Sequence, residues 1–116
     1  MNDELTKSLY GLSRLELDIL IKIFFPYADK INRVALFGSR ATGNFKSNSD
    51  IDLVIYGQLN KNHLDRLFTL FSESHLSLKV DLAVYHLIDY LPLKNHIDQV
   101  ALILFTKKDL ELARVV

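Results

Sequence analysis

The sequence predicts a mixed α/β fold, a β-sheet flanked by helices, in one domain spanning residues 1–116. Two observations carry that expectation. Apolar residues recur at helical spacing in some segments and as short buried runs in others. The segments follow one another as helix, strand, strand, helix, strand, helix and a last piece that reads as strand or continued helix, an order expected of a sheet with helices packed on it.

The first element is a helix from about Ser13 to Phe25. Ser13 and Glu16 have the capping-box spacing, which satisfies two orphan amide donors. Arg14, Asp18 and Lys22 recur every fourth residue as one polar stripe, and nearly everything else is apolar. So narrow a stripe predicts a helix buried on most sides, against its own sheet by preference over another subunit. Pro26 ends it. Arg33 to Phe37 reads as a short buried strand, and Gly38 to Ser49 as a polar loop with room for a helical turn after Ser39. Ile51 to Tyr56 is a second strand closed by Gly57. A helix follows from about Asn60, a capping residue, to Ser74, with Leu64, Leu67, Phe68 and Phe71 at helical spacing. Lys79 to Tyr85 is a third strand. A short helical piece near His86 to Tyr90 and a helix from Leu93 to about Gln99 lead into Leu102 to Thr106, the ambiguous last segment.

Composition narrows the function classes. The 116 residues carry 14 basic and 14 acidic side chains. A domain that grips long nucleic acid usually has a basic excess, so long nucleic acid is not expected as a ligand. The absence of cysteine excludes disulfide scaffolds and thiolate zinc sites, and agrees with a cytoplasmic location. Met1–Glu4 carries acid where a signal peptide needs positive charge. No apolar run reaches the roughly 20 residues of a membrane helix.

Chemistry concentrates between residues 38 and 81. Gly38 follows a strand, where a glycine lets backbone amides approach a ligand. Ser39 adds a hydroxyl, and Arg40 a guanidinium suited to phosphate. Alone, this is as easily a plain turn. Asp50 and Asp52 are two apart at a strand start, so both face one side while Ile51 and Leu53 face the core. Two carboxylates so placed repel unless a cation sits between them, and Mg²⁺ takes such oxygens together with substrate phosphates. Asp81 lies in a run apolar at nearly every position, as in an interior strand, where an unpaired aspartate is costly. It needs a cation shared with Asp50 and Asp52, local donors, or a salt bridge to Lys79 or Arg33. Two metals sharing these carboxylates would clamp an attacking and a leaving oxygen.

Gly38-Ser39, ten residues, then Asp50-Ile51-Asp52 resembles the signature of the polymerase-beta-like nucleotidyltransferase superfamily. The longer string Leu36-Phe37-Gly38-Ser39-Arg40-Ala41-Thr42-Gly43, with Ser49-Asp50-Ile51-Asp52-Leu53, is similar to its minimal nucleotidyltransferase branch. The resemblance spans about Leu15 to Phe105. It implies the polymerase-beta-like fold and nucleotidyl transfer, with ATP as substrate and AMP transferred to a hydroxyl. By it, Gly38 and Ser39 hold the triphosphate, with Arg40 beside them. Asp50 and Asp52 bind Mg²⁺, and Asp81 completes a second metal site and helps activate the acceptor. Relatives often have Glu-Gly after the last helix; here the stretch reads His96-Ile97-Asp98-Gln99-Val100-Ala101.

The minimal branch commonly pairs with a separate helical HEPN protein as a toxin–antitoxin couple. The resemblance therefore implies an antitoxin that attaches AMP to a tyrosine of a HEPN toxin, in a hetero-oligomer. Two other readings stand beside it: a non-catalytic antitoxin acting by occlusion, and the nucleotide-binding subunit of a two-protein, antibiotic-type nucleotidyltransferase. Antibiotic nucleotidyltransferases add a helical domain for which this chain has no room. His63, His75, His86 and His96 lack metal-ligand spacing. Lys46 and the tyrosines read as solvated loop, core or rim.

Overall fold

A computed structural model of the chain describes residues 10–113. The acidic start, Met1–Glu4, lies outside the described residues. The elements are α1 (Arg14–Phe24), a 3₁₀ turn (Phe25–Tyr27), β1 (Ile31–Phe37), α2 (Gly38–Thr42), β2 (Ile51–Gly57), α3 (Lys61–Ser72), β3 (Val80–Val84), a 3₁₀ turn (Tyr85–Leu87), α4 (Leu91–Val100), β4 (Leu102–Thr106) and α5 (Lys107–Leu112). The four strands form one sheet in the order β3-β2-β1-β4. β1 runs antiparallel to both β2 and β4, whereas β2 and β3 are parallel. A parallel pair cannot be joined by a tight hairpin, and α3 supplies the crossover. The expected mixed sheet flanked by helices is the observed one.

The strands sort their side chains by twos. Ile51, Leu53 and Ile55 of β2 and Val80, Leu82 and Val84 of β3 turn to one face, where they meet Leu20, Phe24, Leu67, Phe71 and Leu110 from the helices in the main core. The other face holds a smaller core, Ala35, Val54 and Ile97, under α4. Asp52 and Asp81 belong by alternation to this second, thinly covered face. Local signals start the helices. In α1, Glu16 N donates to Ser13 Oγ at 3.1 Å and Ser13 N donates to Glu16 Oε1 at 2.8 Å. In α3, His63 N donates to Asn60 Oδ1 at 2.9 Å, and the imidazole Nδ1 accepts from Asn60 N at 3.1 Å.

Two expectations need correction, and a third point that the sequence leaves open is decided. The first concerns α1, which is not buried on most sides. Only Leu20 and Phe24 of the helix are fully covered, while Leu15 is 70% exposed. Leu17, Ile21 and Ile23 are only partly buried against the main core. Leu15, Ile19 and Ile21 line an open groove with Leu112 and Ala113 at the α5 end. The second concerns β3, which is an edge strand and not an interior one. Val80, Leu82 and Val84 reach the main core, and Asp81 does not. The third is the C-terminal segment. Leu102–Thr106 is a strand, and α5 follows it, unforeseen in the sequence. Thr106 caps α5 in a capping box with Asp109, at 3.2 and 2.9 Å.

Candidate active site

The site grows from the register of three strands. Phe37, the last residue of β1, pairs with Asp52, and Asp52 pairs with Asp81 on the far side. The sheet thus sets the two aspartates side by side, with Cα atoms about 4.8 Å apart. Gly38 follows Phe37 with φ +68°, a left-handed conformation. A Cβ at this position would overlap Asp52 Oδ2, so only glycine lets the α2 backbone come this close to that carboxylate. Ser39 stands in the first turn of α2, which Gly43 stops at φ +90°. Asp50 is exposed, in the last loop position before β2.

Charge is frustrated here. The Asp52 carboxyl is held above the usual carboxylate range, first by burial, then by the negative charges of Asp81 and Asp50 and by a hydrogen bond shared with Asp81. Lys79 acts in the opposite direction. Its ammonium lies 3.8 Å from Asp81 Oδ1, with both side chains largely in solvent. The Lys79 pairing weighed from the sequence is therefore present, alongside the Asp52–Asp81 cluster. Among the described residues no three or more His, Cys, Asp or Glu side chains form a ready cage for a metal ion. The donors nevertheless fit a hard divalent cation. They are clustered carboxylate oxygens whose repulsion Lys79 offsets only in part, and Mg²⁺ ordinarily takes one or two carboxylates and fills its sphere with water and phosphate oxygens.

Arg40 departs from expectation. It was expected to contact phosphate, but its side chain is 1% exposed. One terminal nitrogen donates to Tyr10 O at 2.9 Å, and the other donates to Ser49 O at 2.9 Å and Ser47 O at 3.4 Å. Burial lowers its pKa, and Glu16 and Asp52 oppose that shift. Both terminal nitrogens of the guanidinium are thus committed to backbone carbonyls. Sequence reading had no means of finding Tyr10 and Gly11, which complete this arrangement from 30 residues away in the chain.

Further along the same sheet face, Arg33 Cζ sits 3.9 Å over the Tyr56 ring, Tyr56 stacks on Tyr85 at 4.9 Å, and Tyr85 donates to Asp98 Oδ1 at 2.7 Å. These tyrosines are rim residues, as expected. His86 Nε2 lies 2.9 Å from Leu59 O, and His96 packs edge-on to Phe37 at 6.4 Å, so neither joins the carboxylates.

Residues 20–110 match the family described as Polymerase beta, Nucleotidyltransferase. No curated protein matches the chain. Among solved structures it is similar to a chain of a toxin-antitoxin with AMP-PNP, with 25% identity, 85% of this chain and 81% of that one covered, and a TM-score of 0.62. It also shares the fold of a chain in the toxin-antitoxin MntA-HepT, at 24% identity over 88% of this chain and 80% of that one, with a TM-score of 0.57. The family match covers most of the chain and includes every strand and the whole carboxylate cluster, so the chain belongs to the polymerase beta nucleotidyltransferase family and is a nucleotidyltransferase.

Proposed function

We propose that the protein transfers AMP from ATP, with Mg²⁺, to a tyrosine hydroxyl of a helical HEPN partner in the cytoplasm, and so acts as an antitoxin. The observation that carries this reading is the Asp52–Asp81 pair in register beside Gly38, with Asp50 next to it. Gly38 and Ser39 hold the triphosphate, and Asp50, Asp52 and Asp81 hold the metal. Bound Mg²⁺ supplies electrostatic stabilisation of the charge that develops on the phosphate oxygens. The acceptor oxygen forms a bond to the α-phosphorus, the bond from that phosphorus to the bridging oxygen breaks, and pyrophosphate leaves. Asp81, on the edge strand, takes the acceptor proton. Arg40 holds the loop that carries Asp50 and does not touch phosphate.

Support comes from two sides. The similar solved chain belongs to a toxin-antitoxin with AMP-PNP, an ATP analogue. The open sheet face beside Asp81 leaves an acceptor to be brought by another protein. The test is transfer of label from α-labelled ATP to the purified helical partner. Label on the partner that needs Mg²⁺ and vanishes in Asp52→Asn and Asp81→Asn is expected. No label with the unsubstituted protein would overturn the reading. So would full protection of cells from the toxin by both variants, which is the outcome of simple occlusion.

A further inference from the structure

Arg40 is the one charged residue among the buried polar side chains of the described residues. A buried guanidinium is costly unless its donors are met, and here they are met unevenly. The terminal nitrogens reach three carbonyls, whereas Nε is buried and has no hydrogen-bond partner. The side chain is thus kept inside by what its two ends hold. One end holds Tyr10 O at 2.9 Å, in the turn before α1. The other holds Ser49 O at 2.9 Å and Ser47 O at 3.4 Å, in the loop before β2.

That second end bears directly on Asp50. The loop closes on itself, with Ser49 N donating to Lys46 O at 3.1 Å and Lys46 N donating to Ser49 Oγ at 2.8 Å. On the other side of Asp50, Ile51 N donates to Lys79 O at 2.9 Å and opens the β2–β3 ladder. Asp50 is therefore a single exposed residue pinned at both neighbours, by the sheet behind it and by Arg40 ahead of it. The Phe45 ring covers the guanidinium at 5.2 Å. Gly11, at φ +74°, makes room for both: a Cβ there would overlap the Phe45 ring and lie 2.9 Å from Arg40 Nη1.

We propose that Arg40 is a positioning residue: it clamps the Ser47–Ser49 carbonyls to the Tyr10–Gly11 turn and thereby fixes where Asp50 presents its carboxylate. The role of Asp50 toward the metal rests on the function proposed above, whereas the clamp itself does not. An arginine suits the task because its planar fork reaches carbonyls on two sides at once, which the point charge of a lysine does not.

The experiment compares Arg40→Lys, Gly11→Ala and Leu110→Ala with the unsubstituted protein. Leu110 is fully buried in the main core, and its truncation lowers stability without touching the clamp. Two quantities are read: amide hydrogen exchange over residues 46–51, and the Mg²⁺ concentration that half-saturates ATP binding. Arg40→Lys and Gly11→Ala are expected to speed exchange in that loop. Arg40→Lys is also expected to raise the half-saturating Mg²⁺ by about tenfold or more, the scale on which outer groups around a metal site act. Leu110→Ala should lower the melting temperature and leave both local quantities unchanged. Loop exchange in Arg40→Lys equal to that of the unsubstituted protein overturns the proposal, as does the same local change in Leu110→Ala. If the unsubstituted protein binds no Mg²⁺–ATP, the proposed function fails, and the exchange measurement alone decides the clamp.

Discussion

Gly38 and Gly43 bracket α2, and both adopt positive φ, at +68° and +90°. Alanine at either position incurs a similar left-handed backbone cost of about 1–2 kcal/mol. In a domain of this size each kcal/mol lowers the melting temperature by about 4 °C. The surroundings differ. At Gly43 nothing lies within 4 Å of an added Cβ, whereas at Gly38 the new methyl overlaps Asp52 Oδ2 and lies 3.0 Å from its Cγ. The Asp52 carboxyl must then swing away, because Leu53 and Ile51 on either side are locked in the core. A displacement near 1 Å in a catalytic constellation costs on the order of 10²-fold in rate. Gly38→Ala and Gly43→Ala are therefore expected to melt at similarly lowered temperatures, with nucleotidyl transfer and Mg²⁺–ATP binding lost in the first and kept in the second. Thermal melts and a binding titration on both variants measure this. Equal loss of binding in the two variants, or no loss in Gly38→Ala, would refute the reasoning that the glycine exists to admit Asp52.

Further outcomes follow from the same geometry. Asp52 has a raised folded-state pKa, so the folded protein binds more protons than the unfolded chain above the unfolded value of about 3.9, and stability falls as pH rises through that window. In metal-free buffer Asp52→Asn should remove this decline, so that its melting temperature gains on the unsubstituted protein as pH increases; parallel curves would contradict the cause assigned. Lys79→Met should change stability by less than about 1 kcal/mol, since the Lys79–Asp81 pair is solvent-exposed. It should also tighten Mg²⁺ binding by removing a competing cation, which a titration reads directly. In α1, Leu20→Ala should cost about 2–5 kcal/mol by chemical denaturation, and Leu15→Ala, at a position 70% exposed, within about 0.5 kcal/mol. Similar losses at both would restore the view that the helix is buried all round.

What was legible in the sequence was what local chemistry decides. The Ser13–Glu16 box, the Asn60 cap and the alternation Ile51-Asp52-Leu53 each act over two or three residues, and each appears in the structure as read. The closeness of Gly38 to Asp52 was implied by a resemblance, and its physical reason emerged only with the β1–β2 register. Three features needed tertiary information. Which side of an apolar helix is covered depends on what surrounds it, and α1 buries Leu20 and Phe24 while leaving Leu15 exposed. An apolar strand with buried alternate residues reads alike at an edge or in the interior, and β3 proved to be an edge. Arg40 looked like a phosphate ligand because arginine beside a Gly-Ser turn has that chemistry. Its actual partners are carbonyls at residues 10, 47 and 49, and backbone oxygens leave no trace in a sequence. The Thr106–Asp109 box was visible, but it follows a segment whose own state was ambiguous.

The central claim is that the Asp52–Asp81 pair, with Asp50 and the Gly38-Ser39 turn, is a metal and nucleotide site. Calorimetric titration of a non-hydrolysable ATP analogue, with and without Mg²⁺, into the unsubstituted protein and Asp52→Asn tests it most directly. The account predicts binding that requires Mg²⁺ and is abolished in Asp52→Asn. Binding of equal strength in the variant, or no binding to the unsubstituted protein at saturating Mg²⁺, would contradict it.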